Sequence, residues 1–469
     1  MIIEERCGGR NFRGRNFLVI GSGLSGIGAV ACLERIGAEV VLYDSNPALT
    51  QEMIRSRLPE GSRARCVAGE LPEDVIETVE TVVLSPGVPT DIPLVKTLRE
   101  KGAEIIGEIE LGFREEKGRV VAITGTNGKT TTTTLVGEIM KAHLGEENVF
   151  VVGNIGNPYT SECFKTTEKT VTVGEISSFQ LETIRTFHPA VSAILNITPD
   201  HLNRHHTMEA YVKAKENIAG NQTKDDICVL NYENGYTKAF GDRCPARAVY
   251  FSSARELESG YYLKGDKIWK SGEGQRRELM DIHRDMNLVG LCNVENVMAA
   301  IAITEGMGVP MDRILQVIKG FQAVEHRIEF VASRGGVDYY NDSKGTNPDA
   351  AIQGIRAMSR PTVLIGGGYD KESEYDEWIE SFQGKVKWLV LIGQTKEKIA
   401  ECARKHGFDK IRFADTFQEC LELCTGLAES GDAVLLSPAC ASWGMFKDYE
   451  ERGRLFKEYV NRLQDGGEI

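Results

Sequence analysis

Short apolar runs, many of them rich in β-branched residues, recur along the whole chain. They read NFLVI (16–20), AEVVLY (38–43), TVVLSP (81–86), VVAITG (120–125), AVSAILNI (190–197), DICVLN (226–231), PTVLIGG (361–367), WLVLIG (388–393) and AVLLSP (433–438). Each is bounded by Gly, Pro, Asn or Asp. Continuous rather than alternating apolarity predicts strands buried on both faces. The stretches between them carry helical spacing, and that alternation predicts α/β architecture with parallel sheets. At roughly 100–200 residues per domain, 469 residues make about three domains. Breaks near Gly107 and Ala323 divide the chain into 1–107, 108–323 and 324–469.

Two of these strands run into glycine loops. FLVIGSGLSGIG places Gly21, Gly23 and Gly26 in a G-x-G-x-x-G arrangement between a strand and a helix. Bare glycines permit the tight turn and let backbone N–H groups approach a diphosphate at the helix N-terminus. Asp44 closes the next strand, where a ribose-binding acid would stand in a dinucleotide fold. The motif does not choose among NAD, FAD and a UDP-sugar, and a tight turn without ligand has the same spelling.

The second loop is more specific. VVAITGTNGKTTTTT runs a strand into Gly125, Thr126, Asn127, Gly128, Lys129, Thr130 and Thr131, followed by a helix. This is a phosphate-binding loop: N–H groups cradle phosphate, Lys129 meets the β/γ oxygens and the Thr130 hydroxyl ligates Mg²⁺. Only two residues separate its glycines, where the common form has four. Thr132–Thr134 read as helix packing. Downstream, TVTVGE ends at Glu175, a carboxylate at a strand end and the expected metal partner. His201, after AVSAILNI, falls at the same sheet edge and takes a metal or phosphate role. His205 and His206 read as surface residues.

Composition narrows the partners. With 55 basic against 68 acidic residues, the formal charge is −13, which disfavours nucleic acid as a partner. No apolar run is long enough to span a bilayer. The start, MIIEERCGGRNFRGR, lacks the apolar segment of a secretory signal. The 11 cysteines are scattered without a CxxC pair, and no nearby His–Cys set completes a zinc site around Cys420 and Cys424. A cytoplasmic protein with reduced thiols, monomeric and not inserted in a membrane, is expected.

The ordered motifs resemble the Mur ligases of peptidoglycan synthesis across nearly the full length. The resemblance rests on GSGLSG, GTNGKTTT, GNIG (153–156), EISSFQLE (175–182), DHLNRH (200–205), AKENI with Lys215, NVEN (293–296), His326-Arg327, NDSKGTN (341–347), GGGYDK (366–371) and LSPACASWGMFKDYEERG (436–453). Relatives that add L-alanine, diaminopimelate or lysine carry an Asp-Tyr-Ala-His type segment in place of NDSKGTN. The set therefore fits the branch that adds D-glutamate.

The resemblance implies three domains: a Rossmann-like first domain for the UDP end of a substrate, a P-loop ATPase-like central domain, and a Rossmann-like third domain for the amino acid. It implies ATP-dependent ligation of D-glutamate to UDP-N-acetylmuramoyl-L-alanine through an acyl phosphate, during cell-wall growth and division. Leu24, Ser25, Ser45 and Asn154 would hold the UDP substrate. Asn293, Asn296, Arg327 and Asp342 would join the loop around ATP. Two Mg²⁺ ions would sit on Thr130 and Glu175 and near His201. Lys215 matches a lysine that the family carbamylates, making it a metal-side carboxylate; Lys129, His201 and Lys215 form the catalytic set. Thr346, Lys371, Ser442, Tyr449 and Lys344 would hold D-glutamate. Cys292, where a His often precedes the Asn pair, and Asn46, where some members carry Arg, depart from the pattern. A nicotinamide oxidoreductase, a folylpolyglutamate synthetase-like ligase and a non-catalytic nucleotide switch remain the competing readings.

Overall fold

The computed structural model describes residues 14–463; the basic start read above lies almost entirely outside them. The chain divides into two compact units. One holds the chain up to Met280 together with Val297–Ile318, and the other holds Asp281–Asn296 and the chain from Lys319.

The first unit contains two sheets. The first is built from β1 (Asn16–Ile20), β2 (Glu39–Asp44), β3 (Arg65–Ala68), β4 (Thr81–Leu84) and β5 (Glu104–Gly107), in the order β3-β2-β1-β4-β5. Every pairing in it is parallel. Strand order reverses between β1 and β4, and such a reversal opens a crevice at the carboxyl ends of the strands. The first glycine loop follows β1 at that point.

The second sheet contains β6 (Arg119–Thr124), β7 (Val149–Gly153), β8 (Val171–Glu175), β9 (Val191–Ile194), β10 (Ile227–Asn231), β11 (Arg247–Ser252), β12 (Gly260–Lys264), β13 (Lys267–Gly272) and β14 (Gln275–Asp281). Their order is β14-β13-β12-β11-β10-β9-β6-β8-β7. β6 therefore lies between β9 and β8, with both pairings parallel. One buried cluster runs from Val19 and Leu33 through Phe113 and Tyr159 to Ile194 and Tyr211. It underlies both sheets, which explains why they form a single unit.

The expected parallel character holds in the interior and changes at the margins. β12 and β13 pair antiparallel. The first four residues of β14, Gln-Arg-Arg-Glu, are exposed, so a strand there has no continuous apolar run to announce it.

The second unit carries β15 (Glu329–Arg334), β16 (Val337–Asn341), β17 (Thr362–Gly366), β18 (Val386–Leu391), β19 (Ile411–Phe413) and β20 (Ala433–Leu436). Their order is β15-β16-β20-β17-β18-β19, with β15 antiparallel to β16. Buried clusters cover both faces: Leu364, Trp378 and Leu389 on one, Val363, Val390 and Phe456 on the other. Among the described residues, no helix is long and apolar enough to cross a membrane.

Candidate active site

The phosphate-type loop leaves β6 and enters the helix Lys129–Leu144 through Gly128, which is left-handed at φ 83°. Gly125 also takes a positive φ, 157°, so neither glycine accepts a side chain without strain. The neighbouring strand end clamps the loop. Asn196 accepts from the Thr126 N–H through its carbonyl at 3.0 Å and from the Asn127 N–H through Oδ1 at 2.8 Å. Its Nδ2 returns a bond to the Asn127 carbonyl at 3.1 Å.

The helix Met208–Glu216 supplies the second clamp. Tyr211 and Lys215 stand four apart and so share a face. The Tyr211 hydroxyl meets Thr126 Oγ1 at 3.1 Å, and Lys215 Nζ donates to the Gly125 carbonyl at 2.8 Å. Lys129 Nζ donates to the carbonyls of Gly125 and Thr126, both at 2.9 Å. Sequence reasoning selected both lysines and missed Asn196 and Tyr211. They sit in runs that read as ordinary strand and helix.

Lys215 is 2% exposed. Burial, and then the charge of Lys129, pushes its amine well below the usual lysine range; Asp200 and Glu175 pull only partly the other way. Holding a buried ammonium costs several kcal/mol, against about 1–3 kcal/mol returned by one charged hydrogen bond. Burial thus moves the balance toward the neutral amine.

Glu175 ends β8 beside the loop and is buried. Its Oε1 accepts from Asn154 Nδ2 at 2.7 Å, while its buried Oε2 has no hydrogen-bond partner. A buried carboxylate oxygen without a donor is costly. A hard cation satisfies it, so this donor set fits Mg²⁺. Asn154, expected to face the UDP substrate, spends its amide on Glu175. Thr132 and Thr133 are fully buried, and the Thr133 hydroxyl lacks a partner, in keeping with a packing role for these two.

His201 lies on the loop after β9 in a left-handed conformation, φ 54°, at the start of the helix Leu202–His205. Its ring packs edge-on against Phe179 at 4.8 Å, and Nε2 stands 3.5 Å from Asp200. His205 corrects the sequence reading: it is buried, not a surface residue. Nε2 meets Ser178 Oγ at 2.9 Å and Nδ1 lies 3.2 Å from Glu182. Burial and the surrounding positive groups hold its pKa down to about 4. The adjacent Arg204 donates to Glu182 at 2.7 Å and to the Val88 carbonyl at 3.0 Å. It thus ties this loop to the segment after β4.

At the first glycine loop the three glycines have different reasons. A Cβ on Gly26 would stand 1.8 Å from the Gly21 carbonyl, and one on Gly21 would crowd Ser85 at 2.8 Å. At Gly23 nothing lies within 4 Å, so this position faces open space. Gly23 precedes the helix Leu24–Arg35, whose N-terminus has no side-chain cap. Leu24 is 79% exposed, Ser25 is half-buried and Ser45 is exposed. Asp44 is already engaged. Its Oδ2 accepts from the Ser22 N–H and hydroxyl at 2.9 and 2.6 Å, and Oδ1 accepts from the Asn46 N–H at 3.0 Å. Burial alone would raise this carboxyl, but those bonds and Arg57 hold it below its usual value. An acid so occupied is a poor ribose ligand, which disfavours the dinucleotide reading.

In the second unit, the Asn293 amide donates to the Val289 carbonyl at 2.8 Å and Asn296 Nδ2 to Asn293 Oδ1 at 3.1 Å. Burial pushes the neighbouring Cys292 thiol up to about 12. Asp342, the acid of NDSKGTN, is buried. Burial raises its carboxyl to about 7, partly opposed by Ser437, which donates to Oδ2 at 2.7 Å, and by Arg327.

The remaining candidates fall into two local groups. Tyr369 bridges to Ala441, which brings the Lys371 and Ser442 segments side by side; the Lys371 ammonium lies 5.2 Å over the Trp443 ring. Separately, Lys344 lies 5.1 Å over the Tyr449 ring, and the Ser343 hydroxyl donates to the Tyr449 carbonyl at 2.7 Å. Thr346 is half-buried on the same loop. Arg452, absent from the expected set, joins the groups by donating to the Ser343 hydroxyl and carbonyl and to the Cys440 carbonyl.

Comparison with known proteins covers most of the chain. Residues 15–107 match the Mur ligase MurD-like N-terminal domain, 123–304 the Mur ligase middle domain, and 326–440 the Mur ligase glutamate ligase domain. A protein of Lachnospira eligens named UDP-N-acetylmuramoylalanine–D-glutamate ligase is 53% identical over 97% of this chain and all of its own length. One of the same name from Lachnoclostridium phytofermentans is 54% identical, with the same coverage. Among solved structures, the UDP-N-acetylmuramate–alanine ligase of Thermotoga maritima superposes with a TM-score of 0.57 at 18% identity, over 95% of this chain and 99% of that one. The MurF ligase of Thermotoga maritima in complex with ADP gives 0.58 at 15% identity, over 96% of each chain. These structures share the three-sheet α/β fold.

Proposed function

The chain belongs to the Mur ligase family, and from that premise we propose that it joins D-glutamate to UDP-N-acetylmuramoyl-L-alanine in the cytoplasm, converting ATP to ADP and phosphate. The observation that carries the ATP-dependent chemistry is the loop itself. Lys129 and Lys215 converge on the Gly125 carbonyl, and the unpartnered Glu175 oxygen ends the adjacent strand. The full-length relatives named above support the choice of substrates.

A carboxylate resists amine attack because oxide is a poor leaving group. The L-alanine carboxylate of the UDP substrate attacks the γ-phosphorus of ATP, giving an acyl phosphate and ADP. The D-glutamate amine then attacks the acyl carbon, its extra proton passes to solvent or a nearby base, and phosphate leaves. Lys129 swings from the loop carbonyls to the β/γ oxygens and neutralises charge as it develops there. Thr130 and Glu175 would hold Mg²⁺, which would offset phosphate charge, and a second ion would sit near His201. The open N-terminus at Leu24 and Ser25, beside Gly23, receives the UDP diphosphate, with Ser45 near it, while Asn154 meets the substrate from its position on Glu175. In the second unit, Asn293, Asn296, Arg327 and Asp342 serve the nucleotide. Lys371 and Ser442 take one end of D-glutamate, and Thr346, Lys344 and Tyr449 the other. Lys215, whose burial favours the neutral amine, adds through its nitrogen to CO₂ to give a carbamate and loses a proton to solvent.

Hydroxylamine tests the acyl phosphate. With ATP, Mg²⁺ and UDP-N-acetylmuramoyl-L-alanine but no glutamate, the hydroxamate of the alanyl carboxyl accumulates. Its absence, from protein that turns over normally when glutamate is supplied, rejects the intermediate.

A further inference from the structure

The second unit carries a set of side chains that the reaction does not use. Asp376 and Glu380 stand four apart on the helix Asp376–Glu380. Cys402 lies on the helix Lys396–Lys405, and His406 follows four residues later at its C-terminal cap. Side chains four apart on a helix share one face, so two helices each present a pair of donors. One ligand atom each from Asp376, Cys402 and His406 lie within 4.8 Å of one another. His406 Nε2 is 2.9 Å from Asp376 Oδ1, while its other nitrogen, Nδ1, is 3.6 Å from Glu380 Oε1.

We propose that Cys402, His406 and Asp376 form a divalent-metal site, with Zn²⁺ as its natural ion, and that Glu380 orients His406 from behind. One thiolate, one imidazole and one carboxylate, with water in the fourth position, make a tetrahedral Zn²⁺ set. The metal replaces the proton shared by His406 Nε2 and Asp376. Nδ1–H then donates to Glu380, the carboxylate–imidazole pairing that fixes the tautomer of metal-bound histidines. Cys402 binds as thiolate, and its proton goes to solvent. Asp376 and Glu380 are exposed and Cys402 is half-buried, so an ion has an entry path.

Loss of the thiol proton sets the pH dependence. An ion that binds the thiolate releases the proton of the thiol form. Affinity then rises about tenfold per pH unit. Cross-linking the two helices also raises the melting temperature of the loaded protein.

Cobalt provides the test. The reduced, chelator-stripped full-length chain is titrated with Co²⁺. One equivalent produces the near-ultraviolet thiolate-to-cobalt band, and Zn²⁺ abolishes it. Cys402→Ser removes the band, and His406→Gln weakens binding at least about tenfold; both retain ligase activity with Mg²⁺. Cobalt at the Glu175 site gives no such band, because the donors assigned there are not thiols. Absence of the band in the parent chain, or its persistence in Cys402→Ser, overturns the proposal.

Discussion

Lys129 and Lys215 donate to one and the same oxygen, the Gly125 carbonyl, at 2.9 and 2.8 Å. Two full positive charges so close are unfavourable in a buried setting. The buried partner yields: Lys215 is the amine pushed down. Lys129 keeps the phosphate-facing role, and its replacement by Ala should abolish turnover while leaving the circular dichroism spectrum unchanged. Retained turnover would refute that role.

A neutral buried amine reacts with CO₂ where an ammonium does not. With ¹³C-bicarbonate, the parent protein should show one carbamate carbon resonance that is missing from Lys215→Gln, and activity should fall in CO₂-depleted buffer. A resonance that survives in the variant assigns the carbamate elsewhere.

Glu175→Gln keeps the Asn154 contact through the amide oxygen but removes the carboxylate charge beside the loop. The expected result is a turnover loss of about 100-fold, or about 2.7 kcal/mol, with saturation moved to higher Mg²⁺. An unchanged Mg²⁺ dependence would remove Glu175 from the metal set.

Gly23 and Gly26 separate ligand approach from folding. A methyl group at Gly26 meets the Gly21 carbonyl, so Gly26→Ala should destabilise by about 3 kcal/mol or more. Gly23 has negative φ and open space. Gly23→Ala should therefore leave the melting temperature unchanged and raise KM for the UDP substrate. Unaltered KM would move the diphosphate away from this loop.

Asp342 gives a pH signature. Its folded carboxyl titrates near 7, whereas an unfolded one titrates near about 4. The unfolded state therefore loses its proton first, so this stabilising term is full below about pH 4 and fades as pH rises to about 7. Relative to Asp342→Asn, the parent should lose denaturant resistance across that window and level off above it. Parallel pH curves for the two proteins would contradict the shift.

Much of this was legible in the chain. β1, β6, β17 and β20 are continuous apolar runs, and the two glycine loops sit at their ends, so fold class and phosphate chemistry followed from local pattern. β14 was not legible, because its first four residues are exposed and a polar sheet margin needs no apolar stripe. His205 was misread because one polar residue in DHLNRH looks like its neighbours until Ser178 and Glu182 are folded against it. Arg452 was hidden for the same reason: its partner Ser343 lies 109 residues away in sequence. The Asp376–Cys402–His406 cluster spans two helices, a proximity that spacing cannot reveal.

Substrate-dependent phosphate release tests the central claim most directly. ATP, Mg²⁺ and UDP-N-acetylmuramoyl-L-alanine are supplied with D-glutamate, with L-glutamate or with neither. Sustained release is expected only with D-glutamate, together with a product heavier by one glutamyl residue. Release that follows L-glutamate, or that ignores the amino acid, would contradict the assigned reaction.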